Sequence, residues 1–309
     1  MFILLLPVLI TIALGYILRT VGFLSDGMVE GFKKVVINIT LPALIVSAFL
    51  KMKFEAKYLL VFLAVFLACA LLLVIANGIA KIFKIRSPYF PFLVTGFESG
   101  LIGYALYTSF YGANTAADFG VVDVGQVLFV FIILVPMVMM AGSQRKGLSG
   151  IGDSLKVAVK SPLVWAIIIG VLLSVFGMWK YAKKDAFVAI DNILSFVAMP
   201  TTFLICLIIG SRLKFSFRGI KMELITCAVR IAFTLLLAFV IKYLVLIPLD
   251  LNAKFEAALF IMFVLPGPFV IPMFVQNPSE EDRSYVSNTL SIGTLISLVA
   301  VFIVVLVMK

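Results

Sequence analysis

The sequence predicts an all-α polytopic membrane protein, with ten transmembrane helices arranged as two inverted five-helix repeats. Three observations lead there. The chain of 309 residues is 63% hydrophobic and only 13% charged, with a mean hydropathy of +1.22, more apolar surface than any soluble core uses. Its apolar runs reach the roughly 18 to 25 residues that cross ~30 Å of hydrocarbon as a helix. The two halves also repeat each other's punctuation at an offset of 155 residues, for example Pro7 and Pro162.

The runs, in order, are 2–18, 29–50, 58–80, 90–111, 121–141, 162–178, 187–210, 222–247, 256–275 and 285–308. The first has no basic residues before it and Arg19 after it, the reverse of a secretory signal, so it reads as a retained helix. Every connection is short, which leaves no room for a separate soluble domain. Cys69, Cys206 and Cys227 each sit inside an apolar run and read as small buried hydrophobes.

Alternating the connections between two sides gives one side Lys51, Lys53, Lys57, Lys180, Lys183, Lys184, Lys254 and Lys309. The other receives Arg19, Lys33, Lys34, Lys81, Lys84, Arg86, Arg145, Lys146, Lys156, Lys160, Arg212, Lys214, Arg218, Lys221 and Arg283. The positive-inside rule assigns the richer side to the cytoplasm and turns both termini outward across the cytoplasmic membrane. This distribution also explains the net charge of +10 without nucleic acid as a partner.

The repeat is seen in "PVLITIALGYILRTVG" (7–22) and "PLVWAIIIGVLLSVFG" (162–177), which share a proline and two glycines in register. "LPALIVSAFLKMKF" (41–54) has a counterpart in "MPTTFLICLIIGSRLKF" (199–215). The repeats are then 1–154 and 155–309. Five spans per half, an odd number, invert one repeat relative to the other.

Under this pairing the fourth span corresponds to the ninth. The ninth contains "FVLPGPFVIPMF" (263–274), where Pro266 and Pro268 flank Gly267 and make a continuous helix improbable. The fourth contains "FLVTGFESGLIGYALYTSFYG" (92–112), with a gentler break expected at Ser99-Gly100 and Gly103. Kinks and close helix contacts would explain either alone. In lipid, however, freed backbone groups must be met by protein or by a wet cavity, and two breaks in corresponding positions point to a polar site near mid-membrane.

Glu98 falls at the end of the fourth span's first half-helix. There it is either a protonatable carboxyl or the ionised partner of Arg230, which lies at comparable depth in the eighth span. Lys242, nearer the outer end of that helix, is expected to snorkel. Asn38, Asn77, Gln126, Asn192 and Asn288 are expected to line a substrate path or to tie helices together, whereas Asp123, near the outer end of the fifth span, reads as a water-exposed end residue. Phe97, Tyr104, Tyr107 and Phe269 near the breaks read first as core.

These stretches resemble the auxin efflux carrier family of membrane transporters. "ESGLIGYA" (98–105) keeps the glycines of the family's fourth-span motif and is followed by Tyr111-Gly112. It departs at Glu98, where the family often has Asn, and at Ala105, where Pro is common. "NITLPALI" (38–45) and "AMPTTFLICLIIGSRL" (198–213) are similar to the family's second- and seventh-span signatures. The resemblance implies the fold of bile acid and sodium-proton transporters. Spans 1, 2, 6 and 7 would form a scaffold, and spans 3–5 and 8–10 a core whose broken fourth and ninth helices cross. It further implies substrate bound between core and scaffold, an elevator movement of one past the other, and a homodimer through the scaffold.

A secondary carrier of a small organic acid, coupled to protons, is the expected function. A carrier of a cationic or neutral solute, or a sodium-coupled symporter, is the alternative. The expected substrate-binding residues are Asn38, Pro42, Ser99, Gly100, Gly103, Tyr104, Pro266, Gly267, Pro268 and Phe269. Glu98 is the expected proton-coupling group, and Arg230 its ion-pair partner or an anion partner. The chain has no histidine, no HExxH zinc site and no Gly-x-Gly-Asp motif, which argues against an intramembrane hydrolase. No metal or cofactor is expected. A signalling sensor would add a cytoplasmic domain for which the connections leave no length.

Overall fold

The computed structural model describes residues 2–141, 159, 162–212, 220–275 and 279–308. Of the basic residues that set the orientation, Arg145, Lys146, Lys156, Lys160, Lys214, Arg218 and Lys309 lie outside these, as does the repeat boundary at 154. Every regular element among the described residues is a helix, and none is a strand. Six helical stretches are long and apolar enough to cross a membrane: Asp26–Lys51, Tyr58–Ile82, Ala113–Ala141, Asp185–Ser211, Lys221–Leu246 and Glu280–Val307. Pro162–Val175 and Ile10–Thr20 are shorter apolar helices. The molecule is therefore a polytopic membrane protein. The fourth and ninth apolar runs form no continuous spanning helix because both are interrupted.

The elements are α1 (Phe2–Thr20), α2 (Asp26–Val35) running through a wide turn into α3 (Leu41–Lys51), α4 (Tyr58–Ile82), α5 (Phe90–Val94), α6 (Tyr104–Tyr111) and α7 (Ala116–Phe129). There follow α8 (Val135–Ala141), α9 (Pro162–Val175), α10 (Asp185–Ala198), α11 (Thr201–Arg212), α12 (Lys221–Ile241), α13 (Ala253–Phe263), α14 (Ile271–Phe274) and α15 (Glu280–Val307). The chain divides into two units. The first comprises Met1–Tyr58, Gly100–Val121 and Ser161–Lys214, and the second Leu59–Ser99, Val122–Lys160 and Phe215–Lys309.

In the first unit α1 lies along α11 and α3 along α9. Glycine allows both approaches. A Cβ on Gly15 would stand 2.3 Å from Leu207 O, and one on Gly210 1.9 Å from Ile12 O, so the two backbones touch where side chains would hold them apart. Gly170 of α9 receives Phe49 of α3 in the same way. Polar contacts are few and grouped: Asp191 of α10 accepts from Ser47 at 2.8 Å and pairs with Lys51 at 2.8 Å.

In the second unit α12 packs on α15, α13 and α5. Gly125 brings α7 against the Phe62 carbonyl of α4. Lys242 does not only snorkel: its ammonium pairs with Glu256 at the start of α13. That pairing spares both charges the cost of facing hydrocarbon alone.

Candidate functional site

The first interruption begins after α5, a single turn of five residues. It ends because Thr95 is extended and Gly96 adopts φ +72, a left-handed conformation that a side chain resists. The break thus lies at Thr95 to Glu98, earlier than the gentle break read from sequence. Ser99 to Gly103 then form a wide helical turn leading into α6. Glu98 consequently stands four residues beyond the half-helix, not at its end. The second interruption follows α13. Val264 leaves the helix, Pro266 and Pro268 prevent its resumption, and α14 starts only at Ile271.

These two breaks meet inside the second unit. The Glu98 N–H donates to Pro266 O at 3.0 Å, and Phe269 N donates to Glu98 Oε2 at 2.6 Å. Gly267 permits the approach, since a Cβ there would lie 3.1 Å from Leu93 O. A Cβ on Gly96 would meet Pro268 Cγ at 2.8 Å. Phe97 and Phe263 stack in a tilted pair at 4.7 Å. Glu98 is buried, so its bond to a backbone amide acts in a medium of low dielectric.

Broken helices leave carbonyls without partners, and each must be met. Arg230 of α12 meets five of them. Its Nε donates to Leu265 O at 3.0 Å, Nη1 to Leu93 O at 3.2 Å and Val94 O at 2.8 Å, and Nη2 to Gly96 O at 2.5 Å, Leu265 O at 2.9 Å and Pro266 O at 3.2 Å. The guanidinium also lies over the Phe97 ring, 5.0 Å from its centroid. Its planar fork suits this task, because the carbonyls converge from two chain segments.

Gln126 of α7 holds the first break from its other side. Nε2 donates to Phe97 O at 3.0 Å, Ser99 Oγ at 3.1 Å and Asp123 Oδ1 at 3.3 Å, while Oε1 accepts from Phe97 N at 3.4 Å. Asp123, fully buried one turn earlier, fixes the amide orientation. The sequence reads Gln126 as a path-lining or helix-tying residue and Asp123 as a water-exposed span end; the structure instead buries Asp123 fully against the break, where it bonds Gln126. Their spacing of three residues, which puts both on one helix face toward the break, was the available signal.

The structure brings together Glu98, Ser99, Arg230, Pro266, Gly267, Pro268 and Phe269. The other expected residues belong to the first unit. Gly100 and Gly103 shape the wide turn, and Tyr104 is buried edge-on against Phe119 at 4.8 Å. Asn38 is exposed and donates to Lys34 O at 2.7 Å, and Pro42 starts α3. A cavity of about 580 Å³ lies beside α5, lined by Asn77, Lys81, Lys84, Ser87, Pro91 and Met137 among others.

Residues 1–151 match the family described as membrane transport protein. The "NITLPALI" and "ESGLIGYA" stretches both lie inside that match, in keeping with the resemblance they carry. Over 307 residues the chain is 24% identical to a protein of Methanothermobacter thermautotrophicus (strain Delta H) described as an uncharacterized transporter, covering 96% of this chain and 94% of that protein.

Proposed function

We propose, for a chain whose first 151 residues match the membrane transport protein family, that it is a secondary carrier of a small organic acid, driven by protons and working by alternating access. The observation that carries this is the lodging of one carboxyl group, Glu98, between backbone groups of two interrupted segments.

Ionised Glu98 accepts a charge-assisted hydrogen bond from Phe269 and repels a second carboxylate. Protonation weakens the bond and removes the repulsion. The acid therefore enters together with a proton, and the loosened Phe269 amide becomes free to bind it. Ser99 and the Pro266–Phe269 turn supply the polar contacts. Asn38, Pro42, Gly100, Gly103 and Tyr104 are further candidates. Arg230 holds the breaks in shape and keeps few donors for an anion.

The finer architecture belongs to the same proposal: ten crossings in two inverted repeats, 1–154 and 155–309, with the fourth and ninth crossing at their breaks, and both termini outside. Spans 1, 2, 6 and 7 form a scaffold through which two copies pair, and spans 3–5 and 8–10 form the core. The reciprocal pairing of α1 with α11 and of α3 with α9 supports the inverted repeat.

The experiment is a thermal-shift screen of organic acids, amino acids and amines on the purified protein, because a ligand stabilises the state it binds. The acid found is then followed in proteoliposomes. Glu98→Gln is expected to keep binding and to lose the dependence of net flux on a pH gradient. An unchanged dependence rejects the role of Glu98. Stabilisation by amines alone makes Glu98 the counter-charge of a cationic solute instead.

A further inference from the structure

The cavity of about 580 Å³ beside α5 lies wholly within the second unit, where the end of α4, the start of α5 and the end of α8 enclose it. Its size falls in the range of about 300 to 1,000 Å³ that small ligands fill. Phe92, Met137 and Met140 give it an apolar wall, and Asn77, Lys81 and Lys84 supply polar groups. Such a lining suits a molecule that is apolar along its body and anionic at one end.

The position of the cavity in the membrane follows from α4. That helix has 25 residues, so it rises about 37 Å at 1.5 Å per residue and outreaches a hydrocarbon core of ~30 Å. Its last turn, which carries Lys81, therefore stands at the level of the lipid headgroups. Beside it Ile82 and Phe83 are 75% and 73% exposed, apolar side chains at the membrane boundary. This is the side that the distribution of lysine and arginine assigns to the cytoplasm, where anionic lipids give the leaflet its negative surface potential.

A lysine near the end of a cytoplasmic helix is ordinary, because it complements the helix dipole and follows the charge bias of the loops. That explains Lys81 but not the backbone at Lys84, which has φ 50 and is left-handed. Ile85 N donates to Ala80 O at 2.9 Å and Lys84 N to Lys81 O at 3.4 Å, the pair of bonds that closes a helix through one left-handed residue. Glycine takes that position without steric cost, and asparagine is the usual substitute. A lysine stands there against its own conformational preference, and what it adds is an ammonium group on the cavity wall. Among the described residues neither Lys81 nor Lys84 forms an ion pair. Asn77 commits its amide nitrogen to Leu73 O at 2.7 Å, which leaves its carbonyl oxygen as an acceptor. Asp282 approaches from outside: it accepts from Ser87, a wall residue, at 2.7 Å and from Ser279 at 2.8 Å, and does not itself line the cavity.

We propose that this cavity binds an anionic phospholipid of the cytoplasmic leaflet. Lys81 and Lys84 hold the phosphate, Asn77 accepts from a hydroxyl of the headgroup, and Phe92, Met137 and Met140 cover the first methylenes of the acyl chains. A free phosphate or a small acid would use the lysines and leave the apolar wall uncovered, so a lipid alone accounts for both halves of the lining. Pro91 and Phe92 of α5 belong to the wall, and Arg230 holds the carbonyls of Leu93 and Val94 that follow them. A bound lipid therefore braces the half-helix before the first break, whatever solute the protein carries.

The test uses the full chain, purified in dodecyl maltoside and stripped of lipid. It is titrated with phosphatidylglycerol or with phosphatidylcholine of the same acyl chains, and read by native mass spectrometry and by thermal midpoint. Phosphatidylglycerol is expected to bind several-fold more tightly than phosphatidylcholine and to raise the midpoint more. Lys81→Gln/Lys84→Gln is expected to weaken its binding several-fold. Lys33→Gln/Lys34→Gln, which removes the same charge elsewhere on the basic side, should leave binding unchanged, and equal losses in the two variants would overturn the site in favour of general surface attraction. Lys84→Gly separates binding from folding: it relieves the left-handed conformation, so it should raise the lipid-free midpoint while weakening lipid binding, and an undiminished lipid affinity overturns the proposal. Met137→Trp, which narrows the cavity without changing its charge, should weaken binding as well. Stabilisation by inorganic phosphate as large as that by phosphatidylglycerol would make this a free-anion site, and equal binding of the two lipids would remove charge as its basis; either result overturns the assignment.

Discussion

Nη2 of Arg230 lies 2.5 Å from the carbonyl oxygen of Gly96, the residue whose left-handed conformation ends the first half-helix. One side chain therefore reaches the point where the chain leaves helical geometry. It serves four further carbonyls, two of them on the other broken segment. A positive charge is tolerated here because five carbonyl dipoles replace its hydration shell. Conversely, those carbonyls are tolerated because the guanidinium is present.

Removing Arg230 should accordingly unfasten both breaks at once. Interhelical hydrogen bonds in membrane proteins average only about 0.6 kcal/mol, since the unfolded state in the membrane also finds partners, but five carbonyls served by one group would total about 3 kcal/mol. Arg230→Leu is expected to lower the thermal midpoint in detergent strongly, and Arg230→Lys nearly as much, because a point charge cannot fork to two segments. Full stability of the lysine variant would show that charge alone suffices.

Gln126 allows a more local test. Gln126→Leu keeps the volume while leaving Phe97 O, Phe97 N and Ser99 Oγ without that partner. Leaving buried groups unsatisfied costs about 1 to 3 kcal/mol. Chemical denaturation should register that loss, and Gln126→Glu should be worse than leucine, because it offers no donor to Phe97 O and puts a second carboxylate beside Asp123.

How much of this was visible in the sequence differs from residue to residue. Pro266, Gly267 and Pro268 announced the second break, because proline removes a donor wherever it stands. The sequence puts the first break too late, at Ser99-Gly100 and Gly103. Gly100 and Gly103 look like breakers, but both occur in a helical turn, while the decisive residue is Gly96, whose φ nothing in the local sequence sets apart. The sequence points to a carboxylate as the partner of Arg230, because charge pairing is a property of residue types. Free carbonyls are a property of backbone geometry and have no letter in the sequence. Glu223, buried in the structure, sits in the first turn of α12, where the sequence makes an acid ordinary at a water interface. Only its burial distinguishes it.

In the first unit the glycine contacts between α1 and α11 set the helix separation. Gly15→Ala and Gly210→Ala each place a methyl group against a backbone carbonyl and must part the helices, so both are expected to lower the thermal midpoint. Gly31→Ala in α2, where a Cβ meets nothing within 4 Å, is the control and should be neutral or stabilising by about 0.5 to 1 kcal/mol through helix propensity. Equal losses at all three positions would mean that contact distance does not govern the effect.

Gly96 and Pro268 offer a test of whether the two breaks are mechanically joined. Gly96→Ala incurs two separable costs. The first is intrinsic: a left-handed conformation costs a side chain about 1 to 2 kcal/mol. The second is contact: the added Cβ stands 2.8 Å from Pro268 Cγ, which belongs to the other interrupted segment. Pro268→Ala removes that ring carbon and should relieve the contact while leaving the conformational cost intact. Combining the two substitutions should therefore destabilise by less than the sum of the single changes, with a coupling of about 0.5 to 3 kcal/mol as found for residues in contact. The measurement is a double-mutant cycle of equilibrium unfolding on the purified protein. Strict additivity would mean that Gly96 is required only for its backbone angle, and that the breaks are held together by Arg230 and Glu98 alone.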